Sequence, residues 1–141
     1  MRSWTKGLLA VAVALLAACS EDPTGPETSP EGTWGLSSVD GQALPYRLYA
    51  DHQTAIYLAS GTRVIHPDGT CMNQSTSETY TRNTFGDVSQ TIRTTDSQCT
   101  WHREGGNRFT IRSEDGFEME ARVEDGDLVL TAPSGREFRY R

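Results

Sequence analysis

From Gly32 onward, apolar and polar residues alternate with a period of two, and no helical period is present. In the segment Arg108–Ser113, Phe109 and Ile111 share one face and the residues around them are polar. The apolar face continues through the following segments at Phe117, Met119, Ala121, Val123, Leu128, Leu130, Phe138 and Tyr140. Alternation of this kind is typical of antiparallel strands that have one face buried and one in water.

Turn sequences separate these segments. Four of them recur about ten residues apart: Gly105-Gly106-Asn107, Glu114-Asp115-Gly116, Glu124-Asp125-Gly126 and Pro133-Ser134-Gly135. This spacing is typical of short strands joined by tight hairpins. Earlier strands are predicted over Thr33–Val39, Thr54–Ala59, Thr62–His66, Thr70–Arg82 and Asp87–Arg103. The sequence therefore predicts an all-β fold, an antiparallel up-and-down meander of about eight strands that closes into a small barrel.

The last two of these segments form a long hairpin if the chain turns around Asn83–Asp87. Residues that face each other then have numbers that add up to 170, as those of Cys71 and Cys99 do. We therefore predict a cross-strand disulfide, which an oxidising compartment would preserve. The alternative is a metal or redox pair, but the chain has no Cys-x-x-Cys and no third ligand at useful spacing. Polar residues on both faces predict that part of the hairpin overhangs the core or forms a rim of the barrel.

The first eighteen residues have the pattern of a signal peptide. Arg2 and Lys6 precede an apolar run, residues 7–18, that is too short to span a bilayer. The stretch Leu16-Ala17-Ala18-Cys19 resembles the bacterial lipobox, which implies cleavage before Cys19 and acylation of its thiol. Two or three acyl chains anchor a protein durably in a membrane. The alternative is an ordinary signal peptide with a cysteine near its cleavage site.

The segment after Cys19 is polar up to Glu31. It contains three prolines, four acidic residues and no large apolar residue, so we expect a disordered tether. The chain is thus divided into a signal peptide (1–18), a lipidated cysteine with its tether (19–31) and a barrel domain (32–141). Ser20 follows the cysteine, where Asp would resemble the inner-membrane retention signal. We therefore expect the outer membrane, with the domain facing the periplasm; the cell surface is the alternative.

Composition and motifs argue against several functions. The formal net charge is −6 and Lys6 is the single lysine, so the acidic chain has no basic patch for nucleic acid. Three histidines, His52, His66 and His102, are far apart along the chain. They could meet in a closed barrel, but we expect no metal site there. With no Gly-x-Ser-x-Gly, His-Glu-x-x-His or phosphate loop, we expect neither a cofactor nor a catalytic site.

The segment Gly32–Pro45, which reads GTWGLSSVDGQALP, carries a family resemblance. It resembles the opening of lipocalin-like (calycin-type) β-barrel domains found in bacterial lipoproteins, and segments 67–70 and 138–141 fit the same pattern. The resemblance implies four structural residues, Gly32, Trp34, Arg139 and Arg141. By this resemblance, Trp34 packs at the closed end of the barrel. Either Arg139 or Arg141 then contacts the ring of Trp34 through a cation–π interaction.

The same resemblance implies a binding module for a small apolar ligand or lipid. The candidate lining residues are Trp34, Phe109, Met119, Leu130 and Tyr140. The alternative is a structural or interaction protein of the cell envelope, such as a stress component or an inhibitor of a periplasmic enzyme. Its barrel would be filled, and the long hairpin and the loops around Tyr46–Gln53 would make its contacts. The volume of the barrel interior separates the two functions.

Overall fold

The computed structural model describes residues 28–141, and all regular structure in this part of the chain is β-strand. The strands are β1 (Gly32–Val39), β2 (Gln42–Ala43), β3 (Tyr46–Ala50), β4 (Thr54–Ile65), β5 (Thr70–Arg82), β6 (Val88–Gly105), β7 (Arg108–Ser113), β8 (Glu118–Glu124), β9 (Asp127–Thr131) and β10 (Glu137–Tyr140). The predicted signal peptide, Cys19 and most of the tether lie outside the described residues. No helix within residues 28–141 is long and apolar enough to cross a membrane.

Eight of the ten strands close into a barrel. From β4 to β10 each strand pairs antiparallel with the next, β10 pairs with β1, and β1 pairs with β4. Strands β2 and β3 lie outside this ring and pair with β1 and β4. The β1–β4 pairing closes the ring, so the backbone N–H and C=O groups of these strands find hydrogen-bond partners that they would lack at the edges of an open sheet. The predicted all-β class and the antiparallel up-and-down barrel are confirmed.

Strand β4 is continuous where the alternation predicts two strands, Thr54–Ala59 and Thr62–His66. Its register with β5 shifts between Leu58 and Ser60, which marks a β-bulge. A bulge adds one residue to one strand and so interrupts the period of two. The pattern consequently reads as two segments. The stretch Tyr46–Ala50, expected in a loop, forms strand β3 against the first half of β4.

Strands β5 and β6 form the predicted long hairpin. Thirteen residue pairs, from Thr70 opposite Thr100 to Arg82 opposite Val88, follow the register that the cysteines indicate. Strand β6 pairs with β7 only from Cys99 onward. The residues of β6 before Cys99 therefore form a sheet edge, and the hairpin projects beyond the barrel together with β3 and the first part of β4, which continue the sheet beside β5.

The barrel has two different ends. At the closed end β1 begins, and the indole Nε1 of Trp34 donates a hydrogen bond of 2.8 Å to the carbonyl oxygen of the buried Pro30. The opposite end, called here the mouth, carries the β7–β8 and β9–β10 turns. A packed core fills the barrel toward the closed end; its most deeply buried side chains include Ile65, Phe109, Ile111, Leu128 and Leu130. Burial of each such side chain contributes about 1.5–3 kcal/mol relative to exposure.

Cys71 and Cys99 form a disulfide on the inner face of the long hairpin. Their Cα atoms are 4.8 Å apart, and both residues are buried in the core. The predicted disulfide is confirmed. It joins two neighbouring strands at the level where β6 leaves its partner β7. The bond therefore holds the root of the projecting hairpin.

We expect the double variant Cys71→Ala/Cys99→Ala to lower the free energy of unfolding by about 2–4 kcal/mol, because the crosslink restricts the unfolded chain. Urea unfolding followed by tryptophan fluorescence measures the change. The control is Thr76→Ala/Thr94→Ala on the same hairpin, which removes a hydroxyl contact of 3.0 Å and no covalent bond. This control should cost less than about 1 kcal/mol. Equal losses in the two double variants would contradict the prediction.

Candidate functional site

The half of the barrel toward the mouth contains a cavity of about 390 Å³. Turn residues Phe117, Ser134 and Arg136 contribute to its lining, so the cavity reaches the mouth. One part of its wall is apolar and includes Leu36, Leu58, Met119, Phe138 and Tyr140. Away from the turns, the polar part consists of Arg63, Asn73 and Ser75. This volume, and a mostly apolar wall with a few polar groups, are typical of sites for small molecules.

The cavity exists because the facing walls carry side chains of different size. Strands β8 to β10 contribute large apolar side chains such as Met119 and Phe138, whereas β4 and β5 contribute Gly61 and Ser75 at the same level. The side chain of Leu36 closely approaches Gly61. A Cβ atom on it would lie 3.2 Å from both Cβ and Cδ2 of Leu36. A glycine and a serine thus leave space that larger residues would fill.

Arg63 is the buried charged group of the cavity wall, and only 4% of its surface is exposed. Its Nη2 donates to Oδ1 of Asn73 at 3.2 Å, and its Nη1 lies 3.7 Å from Sγ of Cys99. The guanidinium carbon is 5.6 Å from the ring centroid of Tyr140, a cation–π distance. Its Nε has no hydrogen-bond partner. Among residues 28–141, no carboxylate pairs with this guanidinium.

The five candidate lining residues lie in three different places. Met119 and Tyr140 belong to the cavity wall. Phe109 and Leu130 lie instead in the packed core, and Trp34 packs against that core near the closed end. These three residues do not line this cavity. Alternation indicates which side chains point inward, but not how far from the mouth they lie.

Sequence reasoning missed Arg63, although a signal for it exists. Arg63 lies two residues before Ile65, so the period of two places both on the same, inward face. A charged residue on the apolar face of a strand is unusual, because burial of an unpaired charge is costly. The bulge between Leu58 and Ser60 obscured this pattern, since it shortened the segment over which alternation could be followed.

Arg139 and Arg141 lie on the outer face, not against the ring of Trp34. Asp127 accepts a hydrogen bond of 3.0 Å from Nη1 of Arg139 and one of 3.2 Å from Nε of Arg141. The cation–π pairs within residues 28–141 are Arg63–Tyr140, Arg103–Phe109 and Arg136–Tyr46. The expected contact with Trp34 is corrected for a physical reason. A charge-assisted hydrogen bond to a carboxylate is stronger than an exposed contact with a ring.

These arginines belong to a larger ionic network that covers Val129. Val129 is fully buried, although its cross-strand partners Arg122 and Arg139 belong to the outer face. Arg122 pairs with Glu124 at 2.9 Å and with Glu137 at 3.2 Å. The aliphatic parts of arginine side chains readily cover an apolar neighbour in this way. The network is therefore a structural layer of paired charges on the outside of the barrel.

The described histidines do not form a metal site. His102 contacts Glu104 at 2.7 Å on the surface, and His66 lies in the turn between β4 and β5. Within residues 28–141, no group of three or more His, Cys, Asp or Glu side chains is arranged to hold a metal ion.

Comparison with known proteins assigns no family: no family model, no curated protein and no solved structure matches the chain. The candidate function therefore depends on the geometry and chemistry of the barrel itself.

The outer network predicts a loss of stability in acid. The hydrogen bond from Arg139 lowers the pKa of Asp127 below its usual 3.8. As the pH falls, the unfolded chain therefore takes up this proton before the folded one does. The stabilisation by Asp127 is fully present above about pH 4 and is lost as the pH falls through its lower folded pKa.

The expected measurement is the melting temperature of wild type and of Asp127→Asn from pH 7 to pH 2. The difference should be largest at neutral pH and should disappear in acid. Asp125→Asn serves as the control, because it removes a carboxylate from the adjacent turn without removing an ion pair found in the described chain. A constant difference across the whole range would contradict the prediction.

Proposed function

We propose that this protein is a lipid-anchored, lipocalin-like binding module that holds a small apolar molecule in the mouth of its barrel. The observation that carries the proposal is the cavity of about 390 Å³ with its largely apolar wall. An interaction protein with a filled barrel would not need this space. The closed, up-and-down barrel of eight strands is compatible with a lipocalin-like domain.

The described chain begins at the closed end of the barrel, where the carbonyl oxygen of Thr28 lies 3.4 Å from Nη1 of Arg103. Cys19 precedes Gly32 by thirteen residues. In this proposal the acylated Cys19 attaches the domain to the outer membrane through the tether, and the ligand is exchanged with the periplasm.

A second candidate, an envelope protein that acts through protein contacts, is favoured by the projecting hairpin. Phe85 at its tip is 90% exposed, and Ile92 on the edge strand is 61% exposed. Apolar side chains at an unpaired edge are typical of surfaces that accept a partner strand. A function carried by this hairpin would not depend on the volume of the cavity. The next experiment therefore distinguishes the two candidates.

We expect the wild-type chain to bind decan-1-ol, a neutral apolar probe, and Ser75→Phe to bind it at least about tenfold more weakly. Ser75 lines the cavity, so a phenyl group there occupies the ligand volume. Thr76→Phe is the matched control, because the neighbouring residue points to the opposite face of β5. Titration calorimetry measures affinity, and native mass spectrometry detects molecules that co-purify. Equal binding by both variants, or no binding by wild type, would argue for the second candidate.

Acylation is tested separately. Cells supplied with an alkyne-labelled fatty acid should label the wild-type protein, and Cys19→Ala should abolish the label and release the protein from the membrane fraction. The control is Cys71→Ala/Cys99→Ala, which retains Cys19 and should remain labelled. Labelling of the Cys19 variant, or an unlabelled wild type, would contradict the lipoprotein assignment.

A further inference from the structure

The cavity contains a positive charge that the described chain leaves without a counter-charge. Arg63 has five N–H groups, of which one donates to Asn73 and one points to the disulfide sulfur of Cys99, a weak acceptor. A buried guanidinium is costly unless it is paired and its hydrogen bonds are satisfied. The ring of Tyr140 offsets part of this cost but supplies no negative charge.

Arg136, the other cation in the cavity wall, already has a partner. Its Nε lies 3.4 Å from Oδ2 of Asp40, and its guanidinium also lies over the ring of Tyr46. The two arginines thus differ in a way that matters for a ligand. The charge of Arg136, at the mouth, is balanced by Asp40. The charge of the buried Arg63 can be balanced only by a group that enters the cavity.

We infer that the ligand is an apolar chain that carries one carboxylate, and that this carboxylate pairs with Arg63. The inference rests on the proposed binding function and specifies its ligand class. A single buried cation balances a single negative charge, whereas a phosphate monoester carries between one and a half and two charges at about pH 7. The planar guanidinium offers parallel N–H groups that match the two oxygens of a carboxylate.

The position of Arg63 also sets the orientation of the ligand. In β4 it lies between Gly61 and Ile65, on the core side of the cavity. It stands opposite Trp34 in the register of β4 with β1. Leu58 and Phe117 lie nearer the mouth. The ligand therefore enters with its carboxylate first, and its apolar chain lies along the wall that contains Leu36, Met119 and Phe138.

The test compares decanoate with decan-1-ol, which share a chain length and differ in charge. Titration calorimetry with the full chain should show that wild type binds decanoate at least about tenfold more tightly than decan-1-ol. Arg63→Met should bring this ratio to about one, because decanoate then loses its charged partner. Arg63→Lys should retain part of the preference, because it keeps the charge but loses the planar fork. Arg108→Met is the matched control and should retain the full preference, because the exposed Arg108 lies outside the cavity wall.

The outcomes separate this inference from the proposed function. Equal binding of decanoate and decan-1-ol by wild type would contradict the inference that the ligand carries a carboxylate. It would still support an apolar binding site. A preference that persists in Arg63→Met, or tighter binding of decyl phosphate than of decanoate, would also overturn it. Binding of neither probe would overturn both proposals. Arg63→Met should melt at or above the wild-type temperature in the absence of ligand, because it removes an unpaired buried charge.

Discussion

The pairing of β1 with both β4 and β10 is the constraint on which the barrel depends. Its first half pairs with β4, from Gly32 opposite Ile65 to Gly35 opposite Thr62, and its second half pairs with β10. The backbone of Gly35 also exchanges two hydrogen bonds with Arg141. One strand of eight residues thus joins the beginning of the meander to its end. Leu36 lies where the pairing changes side, and the glycine at position 61 gives its side chain room.

Unequal strand lengths then divide the barrel into a packed half and an open half. Strands β4, β5 and β6 have 12, 13 and 18 residues, whereas β7 to β10 have between four and seven. The short strands meet the long ones only toward the closed end, where the core and the disulfide lie. Farther from the closed end the long strands continue, and there β6 pairs with β5 but no longer with β7. The cavity lies at this transition, between the inner face of β4–β5 and the turns of the short strands.

The fold was more predictable from sequence than the site was. Regular alternation in β7 to β10 and the two matched cysteines were sufficient for the class, the meander and the register of the long hairpin. The bulge in β4 was not predictable from alternation alone, because a bulge looks like an interruption between strands. The lining of the cavity was predicted only in part. A period of two distinguishes inward from outward but treats the buried Phe109 and the cavity-lining Met119 alike.

The division into two halves separates what keeps the domain folded from what its cavity can accept. Substitutions at Phe109 or Leu130 act on the core, where packing is dense and volume changes are costly. Ser75 lies instead on the wall of the cavity, so a change in its size alters the space open to a ligand. Such a change therefore acts on which ligands the cavity accepts while the packed core keeps its side chains. Position 61 differs from Ser75, because a Cβ atom there would press against the side chain of Leu36.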